Sequence, residues 1–321
     1  MFVSSSTQVL VPHAEMTSGP PVARIWRPLA PPRKNTMVSV CCQLPFVNNC
    51  RRRWVLILRE LWKPGQVTLG GWCAIGSAFS AELLGRCGYD WIGIDLQHGL
   101  ISQEQMIAML QGLSGTGTPA LVRVADSNPA GIMRALDAGA SGVIVPLVES
   151  AHEAARIVQA CRYPPDGTRS WGPVRASLGV NEYSPRSANR DVLCIVMIES
   201  PAAVAGLDDI LTVPGIDAAF IGSNDLALSS GLARTFGPEP SAQLDLVMSI
   251  QLACRRHGIV AGIAAGDTEA VLRWHAAGFD MLALPSDIGL LVQGARASVG
   301  ALRAAAGVKS ARRGSDESIE V

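Results

Sequence analysis

The chain is poor in aromatics, at 5% Phe, Trp and Tyr, and no apolar run in it approaches the 18 or so residues that span a bilayer, so a membrane is not expected as a partner. Neither sign of charge is in excess, with 27 Lys/Arg against 27 Asp/Glu. No basic stripe interleaved with aromatics occurs, and nucleic acid is not expected as a partner either. The eight cysteines form no CxxC pair and mostly lie inside apolar runs, which reads as buried thiols in a reducing compartment. The N-terminus lacks the basic-then-apolar order of a secretory signal, so the body is expected to be cytoplasmic. Also missing are HExxH and GxSxG. Gly115-Thr116-Gly117 precedes a predicted strand instead of following one, so a dinucleotide-binding reading fails on order.

What is present is apolar material, 48% of 321 residues, enough for one large α/β barrel or two modest domains. Residues 1–55 hold seven Lys/Arg and a single acid, Glu15, with prolines at 20, 21, 28, 31 and 32 and an Arg51-Arg52-Arg53 run. This composition predicts a disordered extension. It also suits an organellar transit peptide, or a start codon lying downstream near Val55. From Leu56 the pattern changes to short apolar strands alternating with amphipathic helices. Strands are predicted at Trp72–Ile75, Trp91–Asp95, Ala120–Val124, Gly142–Val145, Leu193–Ile198, Ala218–Ile221, Val260–Ile263 and Met281–Ala283. Helices are predicted at Ser80–Cys87, Ser102–Leu113, Pro129–Ala138, Ser150–Cys161, Pro201–Leu211, Ala242–His257, Thr268–Ala276 and Ile288–Leu302, with Gly88, Gly139, Gly258 and Gly278 as left-handed stops. Eight βα units between residues 56 and 308 predict a (β/α)₈ TIM barrel, with a doubly wound sheet as runner-up. Residues 309–321 read as a polar, mobile tail.

In such a barrel the chemistry collects where strands end. The fifth and sixth strands end in Glu199 and in Gly222-Ser223-Asn224-Asp225. An acid after a strand is often only a helix cap. Two in register on neighbouring strands can hold one hard divalent cation, Mg²⁺ or Mn²⁺, with positions left for substrate, and the backbone N–H groups of 222–224 can hold a small carboxylate beside it. His98, in Asp95-Leu96-Gln97-His98-Gly99, is placed at a strand end, while His152, His257 and His275 fall on helices and His13 in the tail. That position makes it a candidate acid–base group. The third strand ends Leu121-Val122-Arg123-Val124, which places Arg123 at the mouth, where it suits a carboxylate, from substrate or from a nearby acid such as Glu199. Asp137, in the next helix, is a candidate to orient His98, and is equally well read as a solvated helix residue. The loop Tyr163–Gly172 has the punctuation of a lid or a subunit contact. No lysine stands at a predicted strand end, which disfavours a Schiff-base mechanism.

These residues, together with GxW near Trp72, SAELLGRCGYDW, LDAGA, RYPPDGTR, IES and FIGSNDL, resemble the HpcH/HpaI family of metal-dependent pyruvate aldolases over Leu56 to Arg303. The resemblance implies a pyruvate-type TIM barrel and cleavage of a 4-hydroxy-2-keto (2-keto-3-deoxy) acid to pyruvate and an aldehyde through a metal-stabilised enolate. It implies Glu199 and Asp225 as ligands of Mg²⁺, Mn²⁺ or Co²⁺, and His98 with Asp137 as an acid–base dyad. It further implies Arg123 as the group that polarises the keto oxygen, Gly222, Ser223 and Asn224 as the pyruvate-carboxylate cradle, Trp72 as an active-site aromatic, and assembly as a homohexamer. Two departures stand out: Met197 where the family usually has Gln, and Ser223 where it usually has Pro. Rival readings are a citrate-lyase-like acyl-CoA lyase, for which a basic face for the CoA phosphates is missing, a phosphotransfer barrel, which needs more Arg/Lys at the mouth, and a non-catalytic barrel that binds a metal or a small acid.

Overall fold

The computed structural model describes residues 58–307 apart from 64, 179, 181 and 233–240. The predicted N-terminal extension and the tail from 309 lie outside the described residues. Eight parallel strands close in sequence order into a barrel: β1 Thr68–Cys73, β2 Trp91–Asp95, β3 Ala120–Arg123, β4 Gly142–Val145, β5 Leu193–Ile198, β6 Ala218–Ile221, β7 Val260–Ala264 and β8 Met281–Ser286. Pairing of β8 with β1 closes the ring and rules out the doubly wound alternative. Between the strands lie α1 Ala78–Gly85, α2 Gln103–Leu113, α3 Pro129–Asp137, α4 Ala151–Cys161, α5 Pro185–Asp191, α6 Pro201–Ala205, α7 Leu207–Leu211, α8 Ser223–Ser229, α9 Ser241–His257 and α10 Thr268–Ala276, and α11 Asp287–Ala306 follows the last strand. Among the described residues no helix is long and apolar enough to cross a membrane.

Local chemistry explains the boundaries. Helices begin where a short polar side chain accepts an orphan N–H: Ser77, Ser102, Asn128, Ser150, Ser184, Ser200, Asp267 and Ser286 all do so, and three of these are followed by Pro at the first helical position. The expected glycine stops at 88, 139, 258 and 278 all have positive φ.

Four expectations are corrected. Strand β1 begins at Thr68, not Trp72, because Gly70-Gly71 belongs to the strand: the Trp91 ring occupies the barrel beside Gly70, where an added Cβ would stand 2.1 Å from it. Residues 201–211 form two short helices broken at Gly206, not one. Helices α5 and α8 were not expected, since Ser, Asn, Asp and Pro at their starts read as loop. The loop from Tyr163 to Gly172 follows a helix and leads back toward a strand, which puts it at the end of the barrel where strands begin. It cannot be a lid over the mouth of its own barrel.

Leu121, Ile144, Ile195, Phe220 and Met281 fill the barrel interior together with Trp91, and a larger apolar layer lies between strands and helices. Above the apolar filling, at the strand C-termini, lies a cavity with polar side chains in its lining.

Candidate active site

At the C-terminal mouth a cavity of about 370 Å³ is lined by residues that include Trp72, His98, Arg123, Met197, Phe220, the Gly222–Asp225 segment, Ala264 and Ser286. Of the expected site residues, Trp72, His98, Arg123, Gly222, Ser223, Asn224 and Asp225 all line it. Glu199 stands immediately behind, 2% exposed, with Oε1 accepting the Leu147 N–H at 2.7 Å. Leu147 takes a left-handed conformation, φ 58°, which is costly for a leucine and turns its N–H toward this oxygen.

The other oxygen, Glu199 Oε2, is buried with no hydrogen-bond partner. Burial pushes the Glu199 carboxyl above its ordinary range and the neighbouring Asp225 charge adds to this, while the Leu147 N–H, Arg123 and His98 act against it. Gly222 is the residue that leaves room here, since a Cβ at that position would stand 2.3 Å from Oε2. A buried carboxylate oxygen without a partner, facing bare backbone and a second carboxylate, is the donor set a hard divalent cation fits. Among the described residues no group of three or more His, Cys, Asp or Glu could hold a metal. The protein would therefore supply Glu199 and Asp225, and water or substrate the rest. Ser229 joins the two acid-bearing segments, its hydroxyl donating to Glu199 O at 3.2 Å and to Asp225 O at 2.7 Å.

Of the backbone N–H groups of 222–224 expected to hold a carboxylate, the first is already taken. The Gly222 N–H is committed to Ile198 O at 3.2 Å, so the free N–H groups begin at Ser223, in the first turn of α8, where no side chain caps them. Buried Gln243 holds this turn from below, donating to Ser223 O at 3.0 Å.

Arg123 pairs with Asp95, not with Glu199. Its Nε donates to Asp95 Oδ1 at 2.8 Å and its Nη2 to Oδ2, and the guanidinium lies 5.0 Å from the Trp72 ring centroid. Asp95 also accepts from Trp72 Nε1 and from the backbone N–H groups of Gln97 and His98. Burial would raise its carboxyl, but the Arg123 bonds and charge outweigh that and hold it below the usual range. One buried acid thus fixes the aromatic, the arginine and the histidine loop together. The sequence carried a signal for it, an acid at a strand's last position, 28 residues before Arg123 in the chain and directly opposite it in register. Asp287, also unforeseen, accepts from Ala74 N at 2.8 Å and ties the end of β1 to the start of α11.

Asp137 is not brought to His98. It is the last residue of α3, which runs against the strands, so it lies at the opposite end of the barrel from the mouth. There it accepts from Arg169 Nη2 at 2.6 Å, and Arg169 in turn lies 4.4 Å from the Tyr163 ring centroid. Within one chain the expected dyad does not form.

A family model described as HpcH/HpaI aldolase/citrate lyase matches residues 69–294. The chain is 36% identical over 238 residues to a 2-dehydro-3,6-dideoxy-6-sulfogluconate aldolase of Pseudomonas putida, a match covering 73% of this chain and 92% of that one. It is 35% identical over 247 residues to a hydroxypyruvate/pyruvate aldolase of Rhizorhabdus wittichii, covering 77% and 98%. A crystal structure of an HpcH/HpaI aldolase/citrate lyase family protein from Burkholderia cenocepacia J2315 superposes with a TM-score of 0.72 at 30% identity, covering 78% of this chain and 99% of that one.

Proposed function

The chain belongs to the HpcH/HpaI aldolase/citrate lyase family, and from that membership we propose that it is a divalent-metal-dependent aldolase that cleaves a 4-hydroxy-2-keto acid of the 2-keto-3-deoxy type to pyruvate and an aldehyde. The observation that carries this reading is Glu199, buried beside Asp225 with one carboxylate oxygen unpartnered. A bound Mg²⁺, Mn²⁺ or Co²⁺ would supply Lewis acidity toward the charge that develops on the keto oxygen as the carbon–carbon bond breaks. The residues of the chain do the rest. N–H groups from Ser223 onward orient the substrate carboxylate, and Arg123, held rigid by Asp95, aims its remaining Nη1 donors at the keto oxygen. His98, on the loop after β2, takes the proton of the 4-hydroxyl. Trp72 and Phe220, stacked with centroids 6.1 Å apart, keep water from the carbon that becomes nucleophilic.

The family reading also includes a homohexamer, a trimer of dimers. Helix α11 supports assembly, since only Asp287 of its 20 residues is buried while Leu291, Val299 and Leu302 face outward. If Asp137 serves His98, it does so from a second copy, because α3 carries it away from its own mouth. The test of the function is pyruvate release from a panel of 4-hydroxy-2-keto acids with and without Mg²⁺, Mn²⁺ or Co²⁺. Turnover that survives excess chelator rejects the metal-dependent mechanism.

A further inference from the structure

Below the two acids, with Arg123 Nη1 given to the keto oxygen, the cavity floor offers a second substrate oxygen no side-chain donor. Met197 lies in the last pleat of β5, two residues before Glu199, and stands opposite Phe220 in the pairing register. Both line the cavity, as do Ala264 and Ala283. Trp72 stacks on Phe220, and its one polar atom is committed to Asp95 Oδ2 at 3.3 Å. Arg123 commits Nε and Nη2 to the same carboxylate. The remaining cavity donors, on His98, Ser223, Asn224 and Ser286, belong to the loops and helix starts above. Polar groups form the rim, and carbon and sulfur form the floor.

Building on the aldolase reading above, we propose that this floor selects the nucleophile: the site accepts 2-keto acids whose C3 carries only hydrogen or alkyl, such as pyruvate and 2-oxobutanoate, and discriminates against hydroxypyruvate. A C3 hydroxyl leaving water for this floor loses its hydrogen bonds, and the Met197 thioether is too weak an acceptor to replace them. A pocket without donors rejects an added hydroxyl by roughly 10- to 100-fold. Met197 is the determining residue because it is the floor position where a side chain of similar length can carry an amide donor.

The experiment follows exchange of C3 protons for deuterium by NMR in D₂O, with the full chain loaded with Mn²⁺ or Mg²⁺, on pyruvate, 2-oxobutanoate and hydroxypyruvate. It needs no aldehyde. Calorimetric titration with the same three acids gives an activity-independent ranking. Expected is a kcat/KM for hydroxypyruvate roughly 10- to 100-fold below pyruvate, carried mainly by weaker binding, with 2-oxobutanoate close to pyruvate. Met197→Gln should narrow the gap to a few-fold and Met197→Leu should keep it. Equal handling of hydroxypyruvate and pyruvate by the wild type overturns the proposal, as does a Met197→Gln ratio that matches the wild type. Exchange with none of the three acids rejects the aldolase reading and this proposal with it, an outcome recognised by a pyruvate methyl proton signal that persists undiminished.

Discussion

Glu199 is a buried carboxylate with one oxygen left without a hydrogen-bond partner. Without metal it is a liability, so Glu199→Gln should raise the melting temperature of the metal-free protein while removing the stabilisation that added Mn²⁺ gives the wild type and abolishing turnover. A differential scanning measurement with and without metal reads both effects. Loss of the His98 imidazole leaves both acids and the His98 backbone bond to Asp95 in place: His98→Ala should slow turnover roughly 10²- to 10⁴-fold with metal affinity largely retained. Unchanged kinetics would return His98 to a structural role. Asp95 makes a prediction with a sign. Its carboxyl is held low by Arg123, so the pair stabilises the fold at all pH values above the unfolded carboxylate range near ~4, and that stabilisation fades as pH falls through the lower folded value. The difference in melting temperature between wild type and Asp95→Asn should be constant from about pH 5 to 8 and should shrink toward pH 3. A gap that instead widened in acid would show that the pair is not what Asp95 contributes.

Among the elements, α11 is a long helix whose sequence and surroundings disagree. Its 20 residues extend about 30 Å, yet past Asp287 none of them is buried, and Leu291 and Leu302 are 65% and 70% exposed. A helix bearing leucines toward water is explained if a second copy covers it. Leu291→Ser with Leu302→Ser should leave the barrel's circular dichroism intact and lower the mass seen by light scattering. An unchanged mass would place the contact between copies elsewhere. Helix α3 makes the matching point at its other end: by stopping at Asp137 it presents that acid, with Arg169 beside it, on the face away from its own His98.

At the scale of the whole molecule these features combine into a test of shared sites. If His98 of one copy works with Asp137 of another, His98→Ala and Asp137→Ala proteins, each weak alone, should regain part of the wild-type rate after unfolding together and refolding as a mixture. A mixture no better than the sum of its parts would confine the site to one chain. The extension is judged at this scale too: composition predicts that a chain beginning at Val55 expresses, assembles and turns over as the full chain does.

How much of this was legible follows from how far apart the interacting groups are in sequence. The strand cores at 91–95, 142–145, 193–198 and 218–221 could be read because an apolar run buried on both faces is a local property, and the helix stops because only glycine enters the left-handed turn cheaply. Glu199, Asp225, His98 and Arg123 could be listed because a parallel barrel gathers strand ends at one mouth. The partnerships could not be read. Arg123 takes Asp95 and not Glu199 because β2 and β3 are neighbours in register, a fact of strand pairing and not of spacing. Asp137 parts from His98 because a helix returning along the barrel carries its last residue to the far end. The sequence determined which residues stand at the ends of the elements, through local propensity and pattern. Only closure of the barrel decided which of those ends meet, because contact between side chains distant in the chain is set by strand order, register and helix direction.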